Sequence, residues 1–139
     1  MKDRIVVSAV CVFDKAGRLL TVRKRGTVMF MHPGGKPEAG ETAVQAAVRE
    51  LAEEVGIVLD PRELQLMGVW IADAANEAAT DIEATVFMAP GVWEAHPSAE
   101  IAEIRWLTLG SQPTRDLAPL LTDHILPELA RSGSADRQA

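Results

Sequence analysis

The sequence predicts an α/β domain in which a mixed β-sheet lies between helices. Three stretches carry that prediction: a β-branched apolar run from Ile5 to Phe13, a two-faced helix within the segment Gly35 to Ile57, and a leucine-bearing helical pattern from Thr114 to Arg131. With 139 residues the chain is expected to hold one core. The expected division is a single domain over 1–131 and a flexible tail over 132–139, which has nothing to bury.

Charge narrows the classes of partner. A formal net charge of −6 with 47% hydrophobic and 24% charged residues is ordinary for a globular protein and argues against a broad basic surface for nucleic acid. Free nucleotides stay compatible with it, because a bound cation inverts the local field of an acidic site. Cys11 is the only cysteine, so no intrachain disulfide can form; a buried thiol in a reducing cytoplasm is expected. Lys2 and Arg4 before the run Ile5 to Phe13 have the look of a secretory leader. That run, however, contains Ser8 and continues through the turn Asp14-Lys15-Ala16-Gly17 into Leu19 to Val22, which reads better as a hairpin. No stretch is long enough to span a membrane.

Taken in order, Ile5 to Phe13 is read as a central strand with a hairpin partner at Arg18 to Arg23. The basic cluster Arg23, Lys24, Arg25 ends that second strand, and Gly26 to Met31 is a loop. Pro33-Gly34-Gly35 forces a tight turn, since glycine reaches backbone angles other residues avoid. Thr42 and Gln45 have the spacing of a capping box that starts a helix, and Gly56 suits the position just past its end.

On that helix, at about 100° per residue, Val44, Ala47, Val48, Leu51 and Val55 form one stripe. Glu50, Glu53 and Glu54 share a separate arc roughly 100° wide. A solvated acidic face needs no function. Yet Glu50 and Glu54 are like-signed i,i+4 neighbours, which mildly destabilise a helix, and a divalent cation removes the repulsion. Carboxylates are the hard oxygen donors Mg²⁺ prefers, and that ion keeps positions for waters and phosphate oxygens. A second phosphate motif is excluded: Gly35, four residues, Gly40, Glu41, Thr42 nearly spells a P-loop, but Glu41 stands where the phosphate-binding lysine is required.

Downstream, Asp60-Pro61 marks a turn, and Leu64 to Ile71 and Ile82 to Met88 read as strands joined by a specificity loop, Ala72 to Asp81. Val92 to Ser98, with Trp93 and His96, is irregular. Apolar residues at 101, 104, 106 and 107 suggest a short strand within Glu100 to Leu107. Thr114 to Arg131 reads as a helix covering one sheet face, with Pro119 and Pro127 in a first turn, a kink or a break.

The spacing Gly35, five residues, Glu41, seven residues, Arg49-Glu50-Leu51, any residue, Glu53-Glu54, any residue, Gly56-Ile57 reproduces every fixed position of the Nudix box. The chain therefore resembles the Nudix hydrolase family, and the flank Pro33-Gly34-Gly35-Lys36 with Glu38 resembles its MutT-type members. The resemblance implies an α/β/α sandwich with a mixed β-sheet flanked by helices. It implies Mg²⁺, or Mn²⁺, held by Glu50, Glu53, Glu54 and the Gly34 carbonyl, with Arg49 orienting Glu41 and the glutamates. Arg23 and Lys36 would bind substrate phosphate. Glu50 or Glu100 would serve as general base, and the residues do not choose between them. His32 takes a place where MutT-like sequences carry Phe or Leu; a metal ligand and a structural or substrate-lining residue are both open.

The implied reaction is hydrolysis of a pyrophosphate bond in a nucleoside diphosphate-linked substrate, with a nucleoside triphosphate pyrophosphohydrolase favoured. A nucleotide sugar or other diphosphate conjugate, and a non-catalytic nucleotide sensor, are the alternatives. The absence of Tyr argues against the diadenosine polyphosphate subset. Base stacking would fall to Phe30, Trp70, Phe87 or Trp93. A homodimer is implied by family habit alone.

Overall fold

The computed structural model describes residues 3–137, with side chains through Arg131. Strands β1 (Asp3–Cys11), β3 (Gly34–Gly35), β4 (Gln65–Asp73) and β5 (Thr80–Met88) form a mixed four-stranded sheet in the order β3-β1-β5-β4. Strands β2 (Leu19–Lys24) and β6 (Ile101–Leu107) form a separate antiparallel ladder. Helix α1 (Ala43–Val55) packs against β1 and β3, while a π-helical stretch at Leu120–Ile125 runs directly into helix α2 (Leu126–Arg137).

Strand alternation divides the core in two. Val10 and Val12 point with Leu20, Val22 and Phe87 toward Ala47, Leu51 and Val55 of α1. Ala9 and Cys11 point the other way with Ala84 and Val86, toward Leu121, Ile125 and Leu129. The sheet is thus covered by a helix on each face, which is the α/β/α sandwich. Cys11 is buried as expected, its Sγ 3.9 Å from Met67 Sδ, and burial pushes the thiol up to about 12.

The hairpin expectation needs correction. The turn at Asp14 forms, with Leu20 N–H donating to the Val12 carbonyl at 2.8 Å, but β1 and β2 then part into different sheets. The segment Met31 to Gly35 enters between them. Met31 and Val22 exchange two backbone bonds, the Pro33 carbonyl accepts from Val10, and Gly34 and Gly35 pair with Ala9 and Ser8. Central β1 instead runs parallel to β5 along its whole length.

Other boundaries shift less. The β4–β5 loop is shorter than expected because both strands extend toward it, leaving residues 74–79. The C-terminal helix begins at Leu120 rather than Thr114. Asp116 is held by Arg105 in a two-pronged ion pair, at 3.0 and 2.9 Å, within a turn, and Leu117 after it bridges to Phe30. Pro119 precedes the first turn, and Pro127, which cannot donate to the carbonyl one turn back, follows the π-helical widening. The backbone follows α2 to Arg137, and the end of the tail expected at 132–139 lies outside the described residues.

Candidate metal and substrate site

Helix α1 is fixed at both ends. Thr42 Oγ accepts from Gln45 N–H, the Gln45 side chain returns to Thr42 N–H at 2.9 Å, and Gly56 closes the helix at φ +74°. Ser8 Oγ donates to the Ala43 carbonyl at 2.6 Å, tying the helix start to β1. The glutamate-bearing face is thereby laid against the Gly34-Gly35 strand.

Close backbone approach is what makes glycine necessary there. A Cβ on Gly35 would collide with Oε2 of Glu50, and one on Gly34, at φ +151°, would collide with the Ser8 carbonyl. Glu54 is only 4% exposed and accepts from Gly34 N–H at 3.1 Å. Burial pushes its carboxyl up to about 8, with the negative charge of Glu50 adding to the shift. Burial likewise raises Glu50, with neighbouring Arg49 opposing.

Arg49 is the hub of the acidic side. Its Nε donates to Glu41 Oε2 at 2.7 Å and its Nη2 to Glu41 Oε1 at 3.0 Å, the fork geometry of a bidentate pair. Nη2 also reaches the Lys36 carbonyl at 3.1 Å. Its Nη1 lies 3.4 Å from Glu50 and 3.5 Å from Glu53. Hydrogen bonding to Arg49 holds the Glu41 carboxyl below its usual range, and Glu41 in turn raises Arg49.

Residues 2–127 match the family profile described as the NUDIX domain. The chain belongs to the Nudix domain family. Phosphatase NudJ of Escherichia coli is 41% identical over 68 residues, 48% of this chain and 44% of that protein. The match therefore spans less than half the length of that relative. The MutT protein of Methanosarcina mazei Go1 shares the fold at a TM-score of 0.74 and 22% identity, over 95% of this chain and 96% of that one. A bifunctional NMN adenylyltransferase/ADP ribose pyrophosphatase from Francisella tularensis, complexed with AMP and Mn ion, superposes at a TM-score of 0.63 and 22% identity, over 94% of this chain and 42% of that one.

The Nudix box residues do not all meet. Among the described residues, no three His, Cys, Asp or Glu side chains are gathered tightly enough to hold a metal ion. Glu54 is turned to the Gly34 backbone, and Glu53, whose side chain is 53% exposed, is drawn to Arg49 instead. Glu100 sits just before β6, in a loop returned to α1 by Ser98 N–H donating to the Glu54 carbonyl at 2.9 Å. Its side chain is 77% exposed, 3.9 Å from Lys24 Nζ. The charge of Glu100 is felt at both Glu50 and Glu54.

A cavity of about 490 Å³ opens beside these groups. Its lining includes Lys24, Lys36, Gly34, Gly35, Arg49 and Glu50 together with the apolar Ile5, Val7, Ala9, Ile82 and Leu120. Arg23 is not among its lining residues: its Nε is held by Glu103 at 2.9 Å and its Nη1 by the Thr27 carbonyl at 2.8 Å. Lys24 lines the cavity in its place. Sequence reasoning singled out the cluster but not the member, because the β2–β6 register shifts between Arg23 and Lys24 and strand alternation loses phase there. Asn76 was missed as well; its side-chain carbonyl accepts from Met29 N–H at 3.3 Å and ties the β4–β5 loop to the cavity rim. His32 also lines the cavity and is buried.

Proposed function

We propose that the protein is a Mg²⁺-dependent hydrolase of pyrophosphate bonds in nucleoside diphosphate-linked substrates, most specifically a nucleoside triphosphate pyrophosphohydrolase. The observation that carries this reading is a complete Nudix box, of which Gly35, Arg49 and Glu50 line a cavity that Lys24, Lys36 and apolar side chains also line. The fit to a hard divalent cation rests on donor chemistry. Glu50 and Glu54 are carboxylates one helical turn apart, both raised first by burial, with the charge of Glu50 adding to the shift of Glu54, and a cation offsets these costs. Glu53, drawn away by Arg49, would complete the set on binding, together with the Gly34 carbonyl. Mn²⁺ suits the same oxygens, as the Mn ion in the Francisella tularensis relative supports. When bound, the metal would neutralise phosphate charge and lower the pKa of an attacking water.

The chain's own groups do the rest. Lys24 and Lys36 attract the phosphate chain into the cavity. Arg49 fixes Glu41 and restrains Glu50 and Glu53, a supporting role that orients the donors. Glu50 or Glu100 accepts the proton of the water. Glu50 is within the cavity wall and has a raised proton affinity, which suits a base, whereas Glu100 is more solvated and paired loosely with Lys24. The apolar side chains of the cavity lining take the nucleoside. Among the described residues no helix is long and apolar enough to cross a membrane, and the buried thiol of Cys11 suits the reducing cytoplasm. Exposed Val69 and Ile71 on edge strand β4 support a homodimer.

The test is turnover of nucleoside triphosphates, nucleotide sugars and other diphosphate conjugates with Mg²⁺, the products read by ³¹P NMR. A nucleoside monophosphate and pyrophosphate from a triphosphate is the expected result. Preferential cleavage of a nucleotide sugar would move the assignment to that substrate class, and binding without turnover would make the domain a sensor.

A further inference from the structure

The turn that carries Glu100 is held in a conformation its own residues do not favour. Ala99 stands at φ +53°, in the left-handed region that a residue with a Cβ enters at a cost. Such strain persists only where the surroundings over-determine it. Two neighbouring elements do so here. From α1, the carbonyls of Glu54 and Val55 accept from Ser98 N–H at 2.9 Å and from His96 N–H at 3.2 Å. From the end of β2, Arg25 grips the turn twice: its N–H donates to the Glu100 carbonyl at 2.8 Å and its Nη1 to the Ala99 carbonyl at 3.2 Å. Ile101 N–H closes the turn onto the Ser98 carbonyl at 3.0 Å.

Arg25 is itself set in a tight turn. The Lys24 carbonyl accepts from both the N–H and the Oγ1 of Thr27, at 3.0 and 2.8 Å, and Gly26 takes φ +82°. Arg25 is not among the cavity's lining residues, so its guanidinium serves the turn rather than a ligand. What the turn presents is the Glu100 carboxylate, 3.9 Å from the Nζ of cavity-lining Lys24 and near enough to Glu50 and Glu54 for its charge to be felt at both. We propose that Arg25 is a positioning residue whose guanidinium holds the 98–101 turn so that Glu100 stands beside Lys24 and the acidic face of α1. This deepens the functional reading above and rests on it, within which Glu100 takes part in the reaction. Arg25 and Ala99 are both exposed, so water takes the place of the guanidinium when it is removed, and the loss is one of position rather than of stability. A reacting group displaced by a fraction of an ångström loses rate.

The experiment is a double-mutant cycle of wild type, Arg25→Ala, Glu100→Gln and the double variant, on the best substrate of the panel above at saturating Mg²⁺. Arg25→Ala should lower kcat about 10-fold, with KM little changed and the circular dichroism spectrum kept. Glu100→Gln should lower kcat at least as far, and adding Arg25→Ala to it should lower kcat by less than about 2-fold more. A further loss of about 10-fold in the double variant would show that Arg25 does not act through Glu100, and would overturn the proposal. Full turnover in Glu100→Gln would overturn it too, because nothing would be left for Arg25 to position. Wild-type protein that hydrolyses nothing on the panel would instead overturn the functional reading.

Amide hydrogen exchange followed by NMR tests the clamp without turnover or metal. In Arg25→Ala the Ser98 and Ile101 N–H groups should exchange about 10-fold faster, since opening the turn breaks both bonds, while the amides of α1 keep their wild-type rates. Wild-type exchange at both positions would overturn the proposal.

Discussion

At the scale of the residue, the site is a balance between one arginine and a set of carboxylates. Arg49 meets Glu41 through two hydrogen bonds and stands within ion-pair distance of Glu38, Glu50 and Glu53. Lysine cannot reproduce the planar fork. Arg49→Lys is therefore expected to lower turnover by about 10–100-fold while leaving the circular dichroism spectrum unchanged. Wild-type turnover in that variant would remove Arg49 from the orienting role.

Glu54 makes a prediction about pH. Its folded-state pKa of about 8 lies above the value the unfolded chain would show, so the native state holds a proton there that the unfolded state has lost. Its contribution is complete below the ordinary carboxylate range and disappears as pH rises through about 8. Cation-free wild-type protein should accordingly lose Tm from pH 5 to 8.5 relative to Glu54→Gln, and added Mg²⁺ should restore it. Parallel Tm curves for the two proteins would show that Glu54 is not the buried acid described here.

At the scale of the element, α1 and the glycine strand before it work as a pair. Gly35→Ala would push Glu50 off the wall. Turnover should fall by at least the 10-fold typical of a displaced ligand or base, measurable at saturating Mg²⁺. The cap is a separate matter: Thr42→Ala should cost about 1 kcal/mol in urea unfolding with activity kept.

This element was the legible part of the sequence. Capping chemistry, apolar stripe and terminal glycine all act over a turn or two, and each formed as expected. The β1–β2 hairpin was not legible, because what separates those strands is the insertion of residues 31–35, a pairing that local pattern does not carry. The same holds for Lys24 over Arg23, where a bulge decides which side chain reaches the cavity. The shared helical face of the glutamates is a local property, and so is the pull of Arg49 on Glu53, an i,i+4 pair, whereas the hold of the Gly34 backbone on Glu54 is tertiary and not legible in the sequence.

At the scale of the whole molecule, the central sheet separates two half-cores, with Met31 packed against both. Leu51 belongs to the half under α1 and Leu121 to the half under the C-terminal helices; both are fully buried. Leu121→Ala should cost about 2–5 kcal/mol in chemical unfolding, as a buried leucine cavity does, with KM for nucleotide altered because Leu120 beside it lines the cavity. An unfolding midpoint equal to wild type would show that the second half-core is not packed as described.

On the proposed function, the Nudix-box glutamates hold a divalent cation. Mn²⁺ binding followed by electron paramagnetic resonance, in wild-type protein and in a Glu53→Gln/Glu54→Gln variant confirmed to be folded, addresses it most directly. Wild-type protein should bind Mn²⁺ in competition with Mg²⁺, and the variant should bind at least about 10-fold more weakly. Equal Mn²⁺ affinity in the two proteins would contradict the account.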